Sequence, residues 1–290
     1  MNSGLVSAVL AYLIWGLFPL YFKTIQFMPA GEIVLHRIVW ALTFLLAILF
    51  WRKQWAWLRQ LNRKLIAGFT LSAVLLSINW LVYIWAANSG RVVDASLGYF
   101  INPLINVLLG VLILQERLRV RQWLCIAVAG AGVAWLTLAA GQLPWVALTV
   151  ATTFGIYGLL RKTASLGALE GLTLETALLF PIAVVGMIIL CLTHSGHFNQ
   201  ATGSMQLSVM LAGPITAIPL LLFAGAARKI SMTQLGLLQY LAPTVQLLLA
   251  IWLWHEPFGH DRMIGFGLIW LALLLFSADS IWHRQRTTQA

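Results

Sequence analysis

Residues 99–106 read Tyr99-Phe100-Ile101-Asn102-Pro103-Leu104-Ile105-Asn106, and residues 239–246 read Gln239-Tyr240-Leu241-Ala242-Pro243-Thr244-Val245-Gln246. Each is an apolar run interrupted by a proline and by amide side chains, inside a much longer apolar stretch. Tyr99, Asn102 and Asn106 fall at i, i+3 and i+7, which is one face of a helix. Gln239, Pro243 and Gln246 keep the spacing of Tyr99, Pro103 and Asn106, with Tyr240 beside them. A proline within a helix removes a backbone donor, frees a carbonyl and bends the rod. In hydrocarbon such freed backbone is tolerated where protein buries it or a cavity meets it. The two stretches are therefore read as helices kinked at Pro103 and Pro243, whose amide faces wall a cavity. The plainer reading, amides that only join helices by hydrogen bonds, stays open.

The surrounding composition sets the solvent. Of 290 residues, 61% are hydrophobic and 9% charged, against about 45–50% apolar and about 25% charged in a soluble domain. A chain of this size cannot hide that much apolar surface from water. A soluble enzyme, a disordered chain and a nucleic-acid-binding domain are excluded, and the net charge of +10 is assigned to short loops instead. A spanning helix needs about 20 mostly apolar residues. Ten such runs are expected, at residues 4–22, 32–51, 66–87, 93–114, 121–139, 143–160, 171–192, 207–227, 231–254 and 261–281. The runs are continuous rather than alternating, which excludes a β-barrel. No cleavable signal peptide is expected, because no basic segment precedes the first run.

Loop charge orients the spans. With the N-terminus in the cytoplasm, inside segments carry Arg52, Lys53, Arg59, Arg63, Lys64, Arg117, Arg119, Arg121, Arg161, Lys162, Arg228, Lys229, Arg284 and Arg286. Outside segments carry only Lys23, Arg91 and Arg262, and Arg37 alone lies within a helix. This is the positive-inside pattern. It predicts a multi-pass membrane protein with both termini cytoplasmic.

An offset of 139–140 residues superposes the two halves. Gly16 meets Gly155, Lys23 meets Lys162, His36 meets Glu175, Pro103 meets Pro243 and Glu116 meets Glu256. Five helices per half is odd, so the second half enters the membrane inverted. The expected fold is an all-α membrane protein: ten transmembrane helices as two inverted five-helix repeats, residues 1–140 and 141–290, forming one membrane domain. Inverted repeats give two related conformations around a site near the midplane, as in secondary transporters.

Further wall residues are expected on other helices. Helix 1 offers Tyr12, Trp15 and Pro19, helix 3 offers Asn79, Trp80 and Tyr83, and helix 6 offers Tyr157. Aromatic rings with polar tips suit an amphipathic organic ligand or a cation. Trp51, Trp55 and Trp57 read as interfacial belt residues. Ionisable groups at membrane depth are costly and mark function by default. His36 and Arg37 lie about one turn into helix 2 and Glu175 about one turn into helix 7 from the other side, roughly 15–20 Å apart in depth. Arg37 is expected to pair with Asp94 or Glu32, the Asp94 pair forming an outer latch or a static ion pair. Glu175 is the best candidate for a protonatable group, and Glu116 and Glu256 read as anchors or caps. Ala127, Gly130, Ala131 and Ala134, with Gly265 and Gly267, permit close helix packing within a monomer or across a homodimer.

No Gly-rich phosphate loop, His-Glu-x-x-His or Gly-x-Ser-x-Gly stretch is present. His194 and His197 lack further ligands in sequence, so no metal or cofactor is expected, and no enzyme. The expected partners are a small-molecule solute, the lipid bilayer and, as a candidate co-substrate, protons.

Several stretches carry a family resemblance: Ile14-Trp15-Gly16 through Lys23, Pro29-Ala30 to His36-Arg37, Asn79-Trp80, Asp94 to Pro103, Tyr157-Gly158 to Arg161-Lys162, and Gln239-Tyr240 to Pro243-Thr244. They resemble the EamA branch of the drug/metabolite transporter superfamily, and within it the RarD-type permeases. The resemblance implies an inner-membrane permease of a group often named for chloramphenicol sensitivity or resistance, with relatives that export amino acids, metabolites or toxic compounds. The small multidrug exporters of that superfamily couple to protons through a glutamate in helix 1. Helix 1 here has no acid, so coupling uses another group, such as Glu175 or His36, or is absent. The function expected is a permease, in the exporting sense, working by alternating access. An uncoupled facilitator, an intramembrane enzyme and a sensor remain the alternatives.

Overall fold

A computed structural model describes residues 3–88, 92–141, 145–253, 255 and 259–289. Among them the chain is helical apart from turns and connections. The helices are α1 (Ser3–Gly16), α2 (Phe18–Thr24), α3 (Ala30–Arg52), α4 (Arg63–Asn88), α5 (Val92–Leu112) and α6 (Val120–Ala140). They continue with α7 (Trp145–Thr163), α8 (Ala168–Leu192), α9 (Gly203–Ala227), α10 (Met232–Gln239), α11 (Leu241–Trp252) and α12 (His260–Gln289). Taking α1 with α2 and α10 with α11 as broken rods, ten units follow the ten apolar runs. Six stretches are long and apolar enough to cross a membrane: Ser3–Thr24, Ala30–Arg52, Arg63–Tyr83, Val120–Ala139, Ala168–Leu192 and Gly203–Ala227. Helix is the natural state for such runs, since it satisfies every backbone group within the segment.

The breaks have sequence causes. Pro19 sits at the start of α2, lacks an amide hydrogen and excludes the carbonyl of Trp15 from its usual bond. That carbonyl instead accepts from Gln246 Nε2 at 3.2 Å. Pro243 follows the interruption at Tyr240 that separates α10 from α11. Pro103 behaves differently: α5 runs through it without interruption. Pro181 in α8 and Pro214 and Pro219 in α9 are likewise carried inside continuous helices.

Two apolar clusters hold the bundle. One gathers Tyr12, Leu45, Leu76, Tyr157, Phe223 and Leu235 from α1, α3, α4, α7, α9 and α10. The other joins α5, α6 and α10–α12 through Phe100, Cys125, Leu237, Phe266 and Ile269. Small residues set the closest approaches. Gly213 of α9 lies directly on the backbone of Trp40 and Ala41 in α3. Gly132 of α6 meets the carbonyl of Gly265 in α12, whereas Gly130 and Gly267 face open space. Close packing thus uses Gly132, a residue outside the small-residue series read from the sequence. Trp51 is 87% exposed, as a belt residue requires, but Trp57 is buried against Leu49, Phe69, Leu166 and Leu174.

The basic termini collect at one end. Lys162 Nζ donates to the carbonyls of Ala227 and Ile230 at 3.0 and 2.5 Å, and Arg228 donates to the Leu166 carbonyl. Glu116 caps α10, accepting from the amides of Met232 and Thr233 at 2.6 and 3.1 Å. Glu256 lies outside the described residues.

We predict that Gly213→Leu destabilises the protein by about 1–3 kcal/mol, the usual cost of overpacking. Gly130→Leu, which points into open space, is expected to stay within about 0.5 kcal/mol of the parent. Unfolding of both variants in detergent checks the contrast, and equal effects would refute this account of the α3–α9 contact.

Candidate functional site

At the centre of the bundle a cavity of about 70 Å³ is bounded by α1, α2, α3, α4, α5, α7, α9 and the α10–α11 break. Of the residues singled out by sequence, Tyr12, Trp15, Arg37, Asn79, Trp80, Tyr83, Tyr99 and Gln239 line it. Phe18, Phe22, Phe154, Thr216, Leu220 and Ala242 complete the wall. The rings interlock: Trp15 packs on Tyr12, Phe154 and Phe223 with centroids 5.6–5.7 Å apart, and Tyr83 meets Tyr99 edge-on at 5.5 Å.

The other singled-out residues lie behind this wall. Asn102 Nδ2 donates to the Ala151 carbonyl at 2.5 Å. Asn106 Nδ2 donates to Asn102 Oδ1 and to Gln239 Oε1, both at 3.0 Å. Asn79 Nδ2 donates to the Val150 carbonyl at 2.8 Å. This amide ladder ties α4, α5, α7 and α10 together, with Asn79 and Gln239 at its cavity edge. Tyr240 is buried and donates to the Phe100 carbonyl at 3.1 Å. Gln246 is used on the Trp15 carbonyl. Asn102, Asn106, Tyr157, Tyr240 and Gln246 are thus absent from the lining of the central cavity. Spacing identified the polar face of α5, but the crossing of α7 decides which part of it is covered.

Arg37 is the charge in this wall. It is buried, its Nε donates to Thr216 Oγ1 at 2.9 Å, and its guanidinium lies 4.4 Å above the Trp80 ring. The Phe22 ring is 5.8 Å away. No carboxylate lies within ion-pair distance of Arg37 among the described residues. The Asp94 side chain lies outside the described residues, and so does the latch it was expected to form. Glu32, the other expected partner, is committed elsewhere. It accepts from the amides of His197 and Phe198 at 2.8 and 3.1 Å, and its Oε2 lies 3.0 Å from His197 Nδ1. His36 stacks on Phe198 at 4.6 Å and accepts from Trp40 Nε1 at 3.3 Å. The connection between α8 and α9 is thereby strapped to the start of α3.

Towards the basic end lies a second polar cluster. Glu175 accepts from Ser72 Oγ at 2.6 Å, and Arg161 Nη1 stands 3.6 Å from its Oε1. Both ionic side chains are 1% exposed. Arg161 Nη2 reaches the carbonyls of Gly167 and Ala168 at 3.3 and 3.1 Å. Arg161 Nε and Nη1 make no hydrogen bond, and the Tyr157 hydroxyl is a hydrogen-bonding neighbour of Glu175. Arg161 was counted among the loop charges, and the structure corrects this: the α7–α8 turn folds back over it. A narrow cleft lies between this cluster and the aromatic cavity, lined by Arg37 and Glu175 together with Leu76, Leu172 and Leu220.

A helical bundle with several membrane-crossing stretches and a small aromatic-walled cavity defines a multi-pass membrane protein. The EamA-like transporter family matches residues 2–138 and 144–278, and the chain belongs to that family. It is 44% identical to the uncharacterized transporter YojE of Bacillus subtilis, over 98% of this chain and 96% of the relative. It is 40% identical to protein RarD of Escherichia coli, over 99% and 98%. A solved crystal structure, 18% identical, superposes with a TM-score of 0.69 over 94% of this chain and 97% of that one, and so shares the fold. The chain is therefore a membrane transporter, and its family points to transport rather than to catalysis.

We predict that Arg161→Met costs about 3–5 kcal/mol, because it strands the buried Glu175 carboxylate. Adding Glu175→Leu is expected to restore most of that loss. Unfolding of the single and double variants in detergent measures the coupling, and additive losses would argue against a functional pair.

Proposed function

We propose that the chain is a secondary transporter of small organic solutes, exporting them by alternating access of two inverted five-helix halves. The halves are residues 1–140 and 141–290, in an inner membrane with both termini cytoplasmic. One observation carries the reading. Arg37 of α3 bonds Thr216 of α9, and Glu175 of α8 bonds Ser72 of α4. Under the 139–140 residue offset α3 corresponds to α8 and α4 to α9. The two bonds thus join corresponding helix pairs, each tying a helix of one half to a helix of the other, although the residues are not equivalent: under that offset Arg37 meets Thr176, and Ser72 meets Leu211 or Ala212. Two such bolts flanking a cavity are what alternating access requires, since opening one side needs only its own bolt released.

The cavity chemistry narrows the solute class of drugs, amino acids and metabolites. Flat aromatic walls favour a solute with a flat apolar body. Arg37 already lies against the Trp80 face, the surface that a solute cation would use. A solute carrying a carboxylate or another acceptor suits the guanidinium better than an organic cation does. Glu175, buried beside Tyr157 and Arg161, is the group assigned to proton coupling. Its ion pair also supports a second reading, a facilitator in which the pair is only a structural bolt.

Flux into proteoliposomes tests these points, with matched aromatic carboxylates, alcohols and amines, chloramphenicol, and an imposed pH gradient. Carboxylates are expected to move fastest. Arg37→Gln is expected to lower their flux about tenfold or more, the loss of one charge-assisted hydrogen bond. Glu175→Gln is expected to abolish the response to the gradient. Full gradient-driven flux in Glu175→Gln overturns the coupling role, and flux that ignores the gradient in the parent supports the facilitator. A folded protein that moves no tested compound would count against the solute class.

A further inference from the structure

A third cavity opens beside the transport path, at the basic end, and shares Ser72 and Arg161 with the cluster around Glu175. It measures about 420 Å³ and lies between the first turns of α4 and the last turn of α7. Its polar wall is Asn62, Lys64, Ser72, Arg161, Thr163 and Ser165, and no acidic residue lines it. Gly68 forms part of the floor, and a side chain added there would enter empty space. Leu65, Phe69 and Leu160 form the apolar remainder.

The donor set is unusual because part of it is idle. Arg161 is 1% exposed and borders this cavity, yet its Nε and Nη1 make no hydrogen bond. Its contact with Glu175, at 3.6 Å, is longer than a good ion-pair hydrogen bond. Buried guanidinium nitrogens without acceptors are costly. A cavity that adds Lys64, the Ser165 hydroxyl and the Asn62 amide next to them offers the donors an oxyanion needs.

Depth identifies what brings it. Lys64 is the second residue of α4, while Thr163 closes α7 and Ser165 follows it. These groups therefore sit at the ends of the spans, where lipid headgroups lie. Phe69 and Ser72 are five and eight residues further along α4, roughly 7–12 Å deeper. The cavity thus runs from a cationic mouth to an apolar and hydroxyl-lined inner part, the profile of a site for a phosphate on an amphiphile.

We propose that this groove binds the phosphate of an anionic membrane lipid, with Lys64 and the guanidinium of Arg161 as its principal donors. The bound phosphate and Glu175 compete for the same guanidinium, so occupancy of the groove acts directly on the bolt at the basic end.

The test uses the full chain in detergent. Native mass spectrometry counts retained lipid, and tryptophan fluorescence follows thermal unfolding, with added phosphatidylglycerol, phosphatidylcholine or inorganic phosphate. Phosphatidylglycerol is expected to be retained and to raise the unfolding temperature, and phosphatidylcholine to do neither. Lys64→Gln is expected to weaken retention about fivefold, the contribution of one lysine near an anionic headgroup. Gly68→Phe, which fills the groove, is expected to abolish retention while unfolding in lipid-free detergent near the parent temperature. If inorganic phosphate alone gives the same Lys64- and Gly68-dependent stabilisation, the phosphate site stands and its occupant is a free anion. Equal retention by parent and both variants, or no stabilisation by any of the three additions, overturns the proposal.

Discussion

The structure depends on one constraint: in hydrocarbon, a polar group released from its helix must be satisfied by another part of the protein. The prolines of this chain release such groups where helices from different parts of the sequence meet. Pro19 interrupts the first span and displaces the Trp15 carbonyl, and Gln246, more than two hundred residues later, takes it up. The same logic explains the amide ladder from Asn79 through Asn102 and Asn106 to Gln239. Its side chains bond backbone carbonyls of α7 and one another, and so fix the position of α4, α5 and α10 around the cavity. Polar residues here are joints first, and only those at the end of a joint reach the solute space.

That distinction explains what was legible in the sequence. The ten apolar runs were readable because a span must be long and apolar whatever it packs against. The aromatic cavity was readable in outline, since Trp15, Asn79, Trp80, Tyr83, Tyr99 and Gln239 meet in one wall. Periodicity gives a face, however, and not the neighbour that covers it. Tyr99 and Asn102 share a face of α5, yet one borders the cavity and the other bonds Ala151. Arg161 illustrates a different limit. A basic residue at the end of a span reads as a loop charge, and only the return of the chain at Gly167 and Ala168 over its guanidinium makes it a buried one. Thr216 carried no signal apart from the flanking prolines of α9, and its role with Arg37 is set by a helix crossing.

The electrostatic design has two charged centres, each with its own partners. Arg37 is held by a hydroxyl and aromatic faces, Glu175 by a hydroxyl and a guanidinium. Attraction between opposite charges is strong at low dielectric, and both groups border one narrow cleft whose walls include Leu76, Leu172 and Leu220. The strap from Glu32 to the α8–α9 connection closes the far end without placing another acid in the wall.

The contact of Gly213 with the Trp40 backbone has a mechanical consequence. Helices that interlock through large side chains form ridges and grooves, and can shift only by jumping a whole turn. Where α9 offers Gly213 and Ala217 to α3, there is little relief to climb over. The surface behaves as a plain bearing: it holds the two rods close in the direction of load and resists sliding weakly. Resistance to sliding between these two rods then falls to the Arg37–Thr216 bond.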